Sequence, residues 1–402
     1  MTVVHGLPQQ NQYSISSVLN YVKQIIDDVR NRGDKALIEY TKRFDGIDID
    51  TVELTPSLRS KCLEELKNDV RRAIDTLYDL LMRFYQEFKP KDFQIQLSGV
   101  RMGIIWKPIE SIGVYVPGGR KSYPSTLLMA GVPAKVAGVS RIAVASPPNK
   151  TGCIDPATIY VSQLIGVENI YRVGGAQIIA ALAYGTESVR KVDKIVGPGN
   201  IYVQAAKALV RDVVEIDGVE GPTELVVIAD ESADPKLVAM DMAAQAEHGM
   251  DSPVVLLTTS SRVAQAVEEL VRDLKGSFYI YVANSIDEAM KIANEFAPEH
   301  LSIHVRDADK LLNRIRNAGA VSYNYSPPAL IDYIGPNHIL PTNKWARVRG
   351  ALTVYDFLKP VAVLFDDREI DKNVLEAVET LARYEGFELH AKSVVMRHVR
   401  NI

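Results

Sequence analysis

The centre of this chain alternates short β-branched runs with glycine- or proline-led turns, and that rhythm narrows the fold more than any other feature. Ile112–Val116 precedes Pro117-Gly118-Gly119, and Arg141–Ala145 precedes Ser146-Pro147-Pro148. Asn169–Val173 then leads into Gly174-Gly175, and Lys194–Val196 into Gly197-Pro198-Gly199-Asn200. The runs recur roughly every 25–30 residues, the length of one strand–helix unit. Such alternation predicts a parallel sheet covered by helices. A second series, Leu225–Ala229, Val254–Thr258, Phe278–Val282, Leu301–Val305 and Ala320–Tyr323, predicts a second sheet of the same kind. The expected class is α/β, with 402 residues allowing two to three domains at roughly 150 residues each.

Around this centre the patterning differs. Residues 15–45 and 56–92 read as helices, the second carrying Leu63, Leu66, Val70, Ile74, Leu77, Leu81 and Phe84 at helical spacing. Tyr325–Pro341 is rich in Pro, Gly and Asn and reads as a long loop, a place where function often sits. A helix at about 371–384 and a strand-like stretch Ser393–Val399 close the chain. This tail looks too small to own a core and is expected to rest on another domain or subunit.

A net charge of -4 gives no basic footprint for nucleic acid. No basic and apolar leader opens the chain, and no run of about 18 apolar residues occurs, so a cytoplasmic protein without membrane contact is expected. Two cysteines, Cys62 and Cys153, form no Cys-x-x-Cys, which argues against a thiolate metal site and fits a reducing compartment.

Four segments carry candidate chemistry. Asp234-Pro235 starts a helix that is expected to run through Gln245 and His248, two residues sharing one face at i and i+3. An amide oxygen and an imidazole suit zinc or a similar ion, while a histidine at a helix C-terminus also suits the dipole alone. Glu299-His300 offers two proton acceptors of different pKa, or simply a loop end. Asp332 and His338 stand in the Pro/Gly-rich loop, where turn chemistry is the bland alternative. Glu385 and His390 lie at a tail helix end that otherwise reads as solvated. Of seven histidines, these four stand beside carboxylates or amides; His5, His304 and His398 do not. No G-x-G-x-x-G is present, although Gly174-Gly175 and Gly197-Pro198-Gly199-Asn200 sit where helix N-termini can bind a diphosphate.

The segments GVYVPGG, VGGAQ, VGPGN, GPTELVVIAD, AQAEH, APEHL, NHILPT and ELHAKSV follow one another in the order found in histidinol dehydrogenases, and GDKALIEYTKRFDG resembles that family's N-terminal segment. The resemblance covers the chain from about residue 20 to its end. It implies two NAD-dependent oxidations of L-histidinol to L-histidine through a bound aldehyde. It implies one zinc per subunit on Gln245, His248, Asp332 and His390, with manganese or cobalt as possible substitutes. Glu299 and His300 match the acid–base pair, Thr223, His338 and Glu385 match further substrate contacts beside the metal and acid–base residues, and Tyr115, Gln177 and Asn200 match NAD contacts. The family further implies a homodimer of two Rossmann-like domains with a swapped tail. The expected division is 1–14 as an arm, 15–112 plus 222–345 with the metal and bases, 113–221 for NAD, and 346–402 reaching the partner. Thr223 stands where a serine is usual, and Arg349-Gly350 replaces a small, serine-rich pair expected near the substrate entrance. The competing expectations are a zinc and NAD dehydrogenase of another small alcohol, and a non-catalytic metal-stabilised dimer.

Overall fold

The computed structural model describes residues 3–8, 14–118, 123–365 and 370–398. Gly119 of the first glycine turn, Val399 of the tail and parts of the N-terminal arm lie outside them. Along the chain come β1 (Val4–His5), α1 (Leu19–Arg32), α2 (Asp34–Asp45), α3 (Pro56–Leu63), α4 (Asn68–Phe88), β2 (Phe93–Leu97) and β3 (Val100–Pro108). There follow β4 (Ser111–Tyr115), α5 (Pro124–Ala137), β5 (Arg141–Ala145), α6 (Pro156–Ile165), β6 (Asn169–Tyr171), α7 (Gly175–Tyr184), β7 (Lys194–Val196), α8 (Ile201–Val210) and β8 (Glu215–Ile216). Next are β9 (Leu225–Ala229), α9 (Pro235–Ala246), β10 (Pro253–Thr258), α10 (Ser261–Val271), β11 (Ser277–Val282), α11 (Ile286–Phe296), β12 (His300–His304), α12 (Asp309–Leu312), β13 (Ala320–Tyr323) and α13 (Ala329–Ile334). The chain finishes with β14 (Leu358–Leu364), α14 (Lys372–Tyr384) and α15 (Glu388–His398).

The chain divides into two compact units, Met1–Phe88 with Ile109–Phe357, and Lys89–Pro108 with Leu358–Ile402. The first holds both expected sheets. One has five strands in the order β6-β5-β4-β7-β8, the other six in the order β1-β11-β10-β9-β12-β13. Every pairing in them is parallel. The all-apolar run of β9 follows from burial on both faces. Leu225, Val227 and Ala229 meet α9 and α10, while Val226 and Ile228 meet α11. Each such fully buried Val or Leu stabilises the fold by about 1.5–3 kcal/mol relative to exposure. No described helix is long and apolar enough to cross a membrane.

Local chemistry explains where the expected helices break. Gly33, at φ 56°, separates α1 from α2, a conformation that costs an L side chain more than glycine. Thr55 caps α3 by accepting the Leu58 N–H, and the stretch after Leu63 interrupts the long apolar stripe before α4. The loop expected over Tyr325–Pro341 contains α13, so Asp332 sits on a short helix.

The second unit corrects the reading of the tail. Its sheet, β14-β3-β2, is antiparallel, with β14 paired along β3 from Leu358↔Pro108 to Leu364↔Met102. The strand expected at Ser393–Val399 is helical through His398. Within the described part of that stretch, Val394 and Val395 alone carry the strand signal. Ala391, Lys392, Met396 and Arg397 around them favour helix.

Sequence spacing assigns the cysteines no joint role, yet in the fold they are bonded. Cys62 at the end of α3 and Cys153 before α6 form a disulfide with a Cα–Cα distance of 6.0 Å.

Candidate active site

In the five-stranded sheet the chain leaves central β4 for β5 and β6 on one side, then for β7 and β8 on the other. The carboxyl ends of β4 and β7 therefore flank a topological switch point, where open α/β sheets bind ligands. Tyr115 ends β4, and its hydroxyl accepts the Gly175 N–H at 3.3 Å. Gln177 lies in the first turn of α7, 1% exposed, with Oε1 lacking a hydrogen-bond partner. Asn200 caps α8, its Oδ1 accepting the N–H groups of Tyr202 at 3.0 Å and Val203 at 3.2 Å. Gly174 supplies no side-chain cap to α7. This end of the sheet thus presents a helix N-terminus suited to an anion.

Gly197 packs against this crevice at φ 119°, and an added Cβ would run into the Tyr115 carbonyl oxygen. Its own carbonyl accepts from buried Lys207 at 3.0 Å, and its N–H donates to Asp217 at 2.7 Å. Gly197→Ala is expected to lower stability by about 2–4 kcal/mol through backbone strain and overpacking. Thermal denaturation checks this, and an unchanged midpoint would show that the turn relaxes freely.

The second cluster lies at the opposite kind of edge, the amino ends of β9 and β12. Thr223 and Glu224 lead into β9, while Glu299 immediately precedes His300, the first residue of β12. Asp234 caps α9 by accepting the Lys236 N–H at 2.9 Å, as its position before Pro235 implies. The helix proper ends at Ala246, two residues sooner than expected. Its last turn tightens: the His248 N–H donates to the Gln245 carbonyl at 3.2 Å, an i to i+3 bond. Side chains three apart eclipse in such a turn, which aligns Gln245 with His248.

A hydrogen-bonded chain joins these elements. The Gln245 amide nitrogen donates to Thr223 Oγ1 at 2.6 Å, and the Thr223 hydroxyl donates to Glu299 Oε2. The same oxygen accepts the Glu224 N–H at 3.0 Å. Asp332 Oδ1 lies 3.8 Å from His300 Nε2. His338 Nδ1 donates to the Asp332 carbonyl at 2.7 Å, which leaves Nε2 as its lone-pair nitrogen.

Burial sets the protonation of the cluster. It pushes the Glu299 carboxyl up to about 8, against the bonds from Thr223 and Glu224, with Glu224 and Asp332 adding repulsion. Burial lowers His300 to about 3, with His248 and His338 contributing, and lowers His338 to about 4. The His300–Asp332 approach is accordingly a contact of a neutral imidazole rather than an ion pair. Burial also lifts Asp332 to about 6 and Glu224 to about 7. Sequence reasoning did not single out Glu224. The segment containing Thr223 was its only signal.

No group of three His, Cys, Asp or Glu side chains among the described residues stands ready to hold a metal. The donors nevertheless fit a borderline divalent ion. Gln245 has its nitrogen engaged and its carbonyl oxygen as the remaining donor, and His248 sits at the negative end of α9. The buried His300 Nδ1 has no partner, and Asp332 carries a raised pKa that a cation would bring down. The expected fourth ligand, His390, belongs to the second unit, as does Glu385. There Glu385 follows α14, and His390 rests its ring 5.0 Å from Phe387. Arg349 has defined partners: it donates to the Asp217 carbonyl and pairs with Glu220.

Comparisons with known proteins agree with one another. The family model described as histidinol dehydrogenase matches residues 8–398. A histidinol dehydrogenase from Saccharolobus solfataricus is 51% identical over 98% of this chain and 100% of its own. One from Archaeoglobus fulgidus is 42% identical over 96% of each. A crystal structure of histidinol dehydrogenase from Elizabethkingia anophelis superposes with a TM-score of 0.91 at 34% identity, covering 98% of this chain and 94% of the other.

Proposed function

The chain belongs to the histidinol dehydrogenase family, NAD-dependent oxidoreductases of histidine biosynthesis, and from that premise we infer how its own residues divide the work. The substrate is L-histidinol, whose primary alcohol is oxidised to the aldehyde and then, after addition of water, to the carboxylate of L-histidine. The observation that carries the assignment of roles is the pair Glu299-His300, joined to Gln245 through Thr223 at the edge of one sheet.

His300 takes the hydroxyl proton as the carbon loses hydride, and burial keeps its imidazole neutral and able to accept. Glu299 takes a proton from water as the oxygen adds to the aldehyde carbon, forming the hydrate. Thr223 and the Glu224 N–H hold Glu299 Oε2, which directs Oε1 as the working oxygen. His338 and Glu385 grip the substrate's polar ends. Gln245, His248, Asp332 and His390 would hold zinc, which supplies positive charge to fix the substrate and no redox chemistry. NAD supplies the hydride acceptor, held near Tyr115, Gln177 and Asn200. The residues of 113–221 thus serve NAD, and the six-stranded sheet carries the bases.

A homodimer that shares its sites completes the reading. Among the described residues, α14 buries no side chain and exposes Val378, Leu381 and Tyr384. An apolar helix face of this kind needs a partner surface, here the second subunit, to which the tail brings Glu385 and His390. Mixing Glu299→Gln subunits, which stop at the aldehyde, with inactive His390→Ala subunits should restore L-histidine formation to about a quarter of the wild-type level, one intact site in four after random reassortment. No recovery after verified exchange would place each site within one chain. For the reaction itself, two NADH should form per L-histidinol, and a strong chelator should abolish turnover until zinc is returned. One NADH per alcohol, or turnover indifferent to chelation, would count against the mechanism.

A further inference from the structure

Strand β12 is apolar on one face and polar on the other. Leu301 and Ile303 join the core against α11, but His300, Ser302 and His304 all point to the α9 side. Ser302 and His304 are 0% and 9% exposed, and Asp241, facing them from α9, is 8% exposed. His304 Nε2 lies 3.0 Å from Asp241 Oδ2 and 3.1 Å from Ser302 Oγ, and Ser302 Oγ donates to the same carboxylate oxygen at 3.3 Å. None of these three residues has a part in the proton transfers.

Their register gives them one. Asp241, Gln245 and His248 follow at i, i+4 and i+7, a single stripe about 10 Å long that runs along α9 and into the tight turn after it. His300, Ser302 and His304 form a parallel stripe of β12 about 13 Å long. The helix runs against the strand, so Asp241 meets His304 at one end while His248 and His300 interact at the other. An apolar contact fixes how closely a helix lies on a sheet, but leaves its rotation loosely set. A buried carboxylate hydrogen-bonded to two partners fixes rotation as well, because turning it away leaves polar groups unpaired.

We propose that Asp241, Ser302 and His304 form a positioning latch for the metal-holding end of α9, holding Gln245 and His248 at the rotation and depth that bring them to Thr223, Glu299 and His300. The lever is steep. A 10° turn of the helix moves a ligand atom about 7 Å from its axis by about 1.2 Å, beyond the tolerance of a working site. The latch rests on Gln245 and His248 being metal ligands.

The test measures zinc dissociation constants, by competition with a chromophoric chelator, for Asp241→Ala, His304→Ala, His304→Gln and His248→Ala. Metal-free thermal midpoints and circular dichroism confirm the folded fraction. Asp241→Ala and His304→Ala should each weaken zinc by about 10–100-fold per folded protein. Both should also lower kcat at saturating zinc with the KM for NAD unchanged. His304→Gln keeps a donor for Asp241 and should stay within about threefold of the wild type. Lower thermal midpoints with wild-type zinc affinity and kcat would reduce the cluster to a purely structural role and overturn the latch. If Asp241→Ala does not fold, His304→Ala carries the same test from the strand side. Zinc affinity unmoved by His248→Ala would instead defeat the ligand assignment itself.

Discussion

Glu299→Gln is expected to stop the reaction halfway, yielding one NADH per L-histidinol and leaving the aldehyde to be trapped by semicarbazide. The amide has the shape of the carboxyl and still accepts from Thr223 and the Glu224 N–H, so fold and metal affinity should persist. What it lacks is the ability to take a proton from water. General-base contributions are about 10²–10⁴-fold, and the rate of aldehyde oxidation should fall by that factor. The pH profile gives an independent check. With the carboxyl pushed up to about 8 by burial, the carboxylate is the minority form at pH 7 and grows as pH rises. Aldehyde oxidation should therefore climb with pH to a plateau. The midpoint should lie at or below about 8, since a bound cation and the positive nicotinamide ring both favour the carboxylate. Glu299→Gln should remove that climb. A variant that still makes two NADH, or keeps the wild-type profile, would take the base role away from Glu299.

Opening the Cys62–Cys153 bond should cost the folded chain several kcal/mol of stability. The bond spans a sequence separation of 91 residues. Cross-linking a loop of that length removes about 4.6 kcal/mol of unfolded-state entropy at 25 °C. Both side chains are buried, Cys62 at 1% and Cys153 at 6% exposure, so reduction should need prior loosening of α3. For a chain of this size the corresponding fall in thermal midpoint is about 5 °C. Calorimetry of Cys62→Ala with Cys153→Ala, beside wild type with and without dithiothreitol, makes the comparison. Two titratable thiols in the untreated folded protein, or equal midpoints in all samples, would remove the bond from the account of stability.

Much of the fold is legible because its signals are local. Nine of the eleven strands in the two parallel sheets show as a β-branched run with a turn behind it, while the two-residue β1 and β8 carry no such run, and Asp234-Pro235 announces a cap that the fold uses. The misreadings fall where a local signal is weak or its partner distant. Val394 and Val395 read as strand in a segment without a sheet neighbour to pair with, and the helix prevails. The pairing of β14 with β3 joins residues 250 or more positions apart, which periodicity cannot reveal. His304 looks the least interesting of the inner histidines because its carboxylate partner, Asp241, is 63 residues away.

The two sites also differ in how well a general rule finds them. Tyr115 and the Gly197–Asn200 turn lie at the carboxyl ends of strands beside a switch point, where an open parallel sheet gathers ligands. Thr223, Glu299 and His300 lie at amino ends, where that rule does not look; Glu299-His300 draws notice as two adjacent proton acceptors, and the ordered run of family segments is what adds Thr223.

By itself the sequence determined the α/β class, the order of most strands of the two parallel sheets, the caps and turns, and membership of a family whose chemistry uses NAD. These are properties of neighbours within a few residues, or of motifs recognisable as strings. Only the tertiary structure decided that Gln245 reaches Glu299 through Thr223, that the cysteines bond, and that α9 and β12 face each other with matching polar stripes. Those facts depend on which distant segments lie side by side, which the packing of both faces of each sheet settles and no single segment encodes.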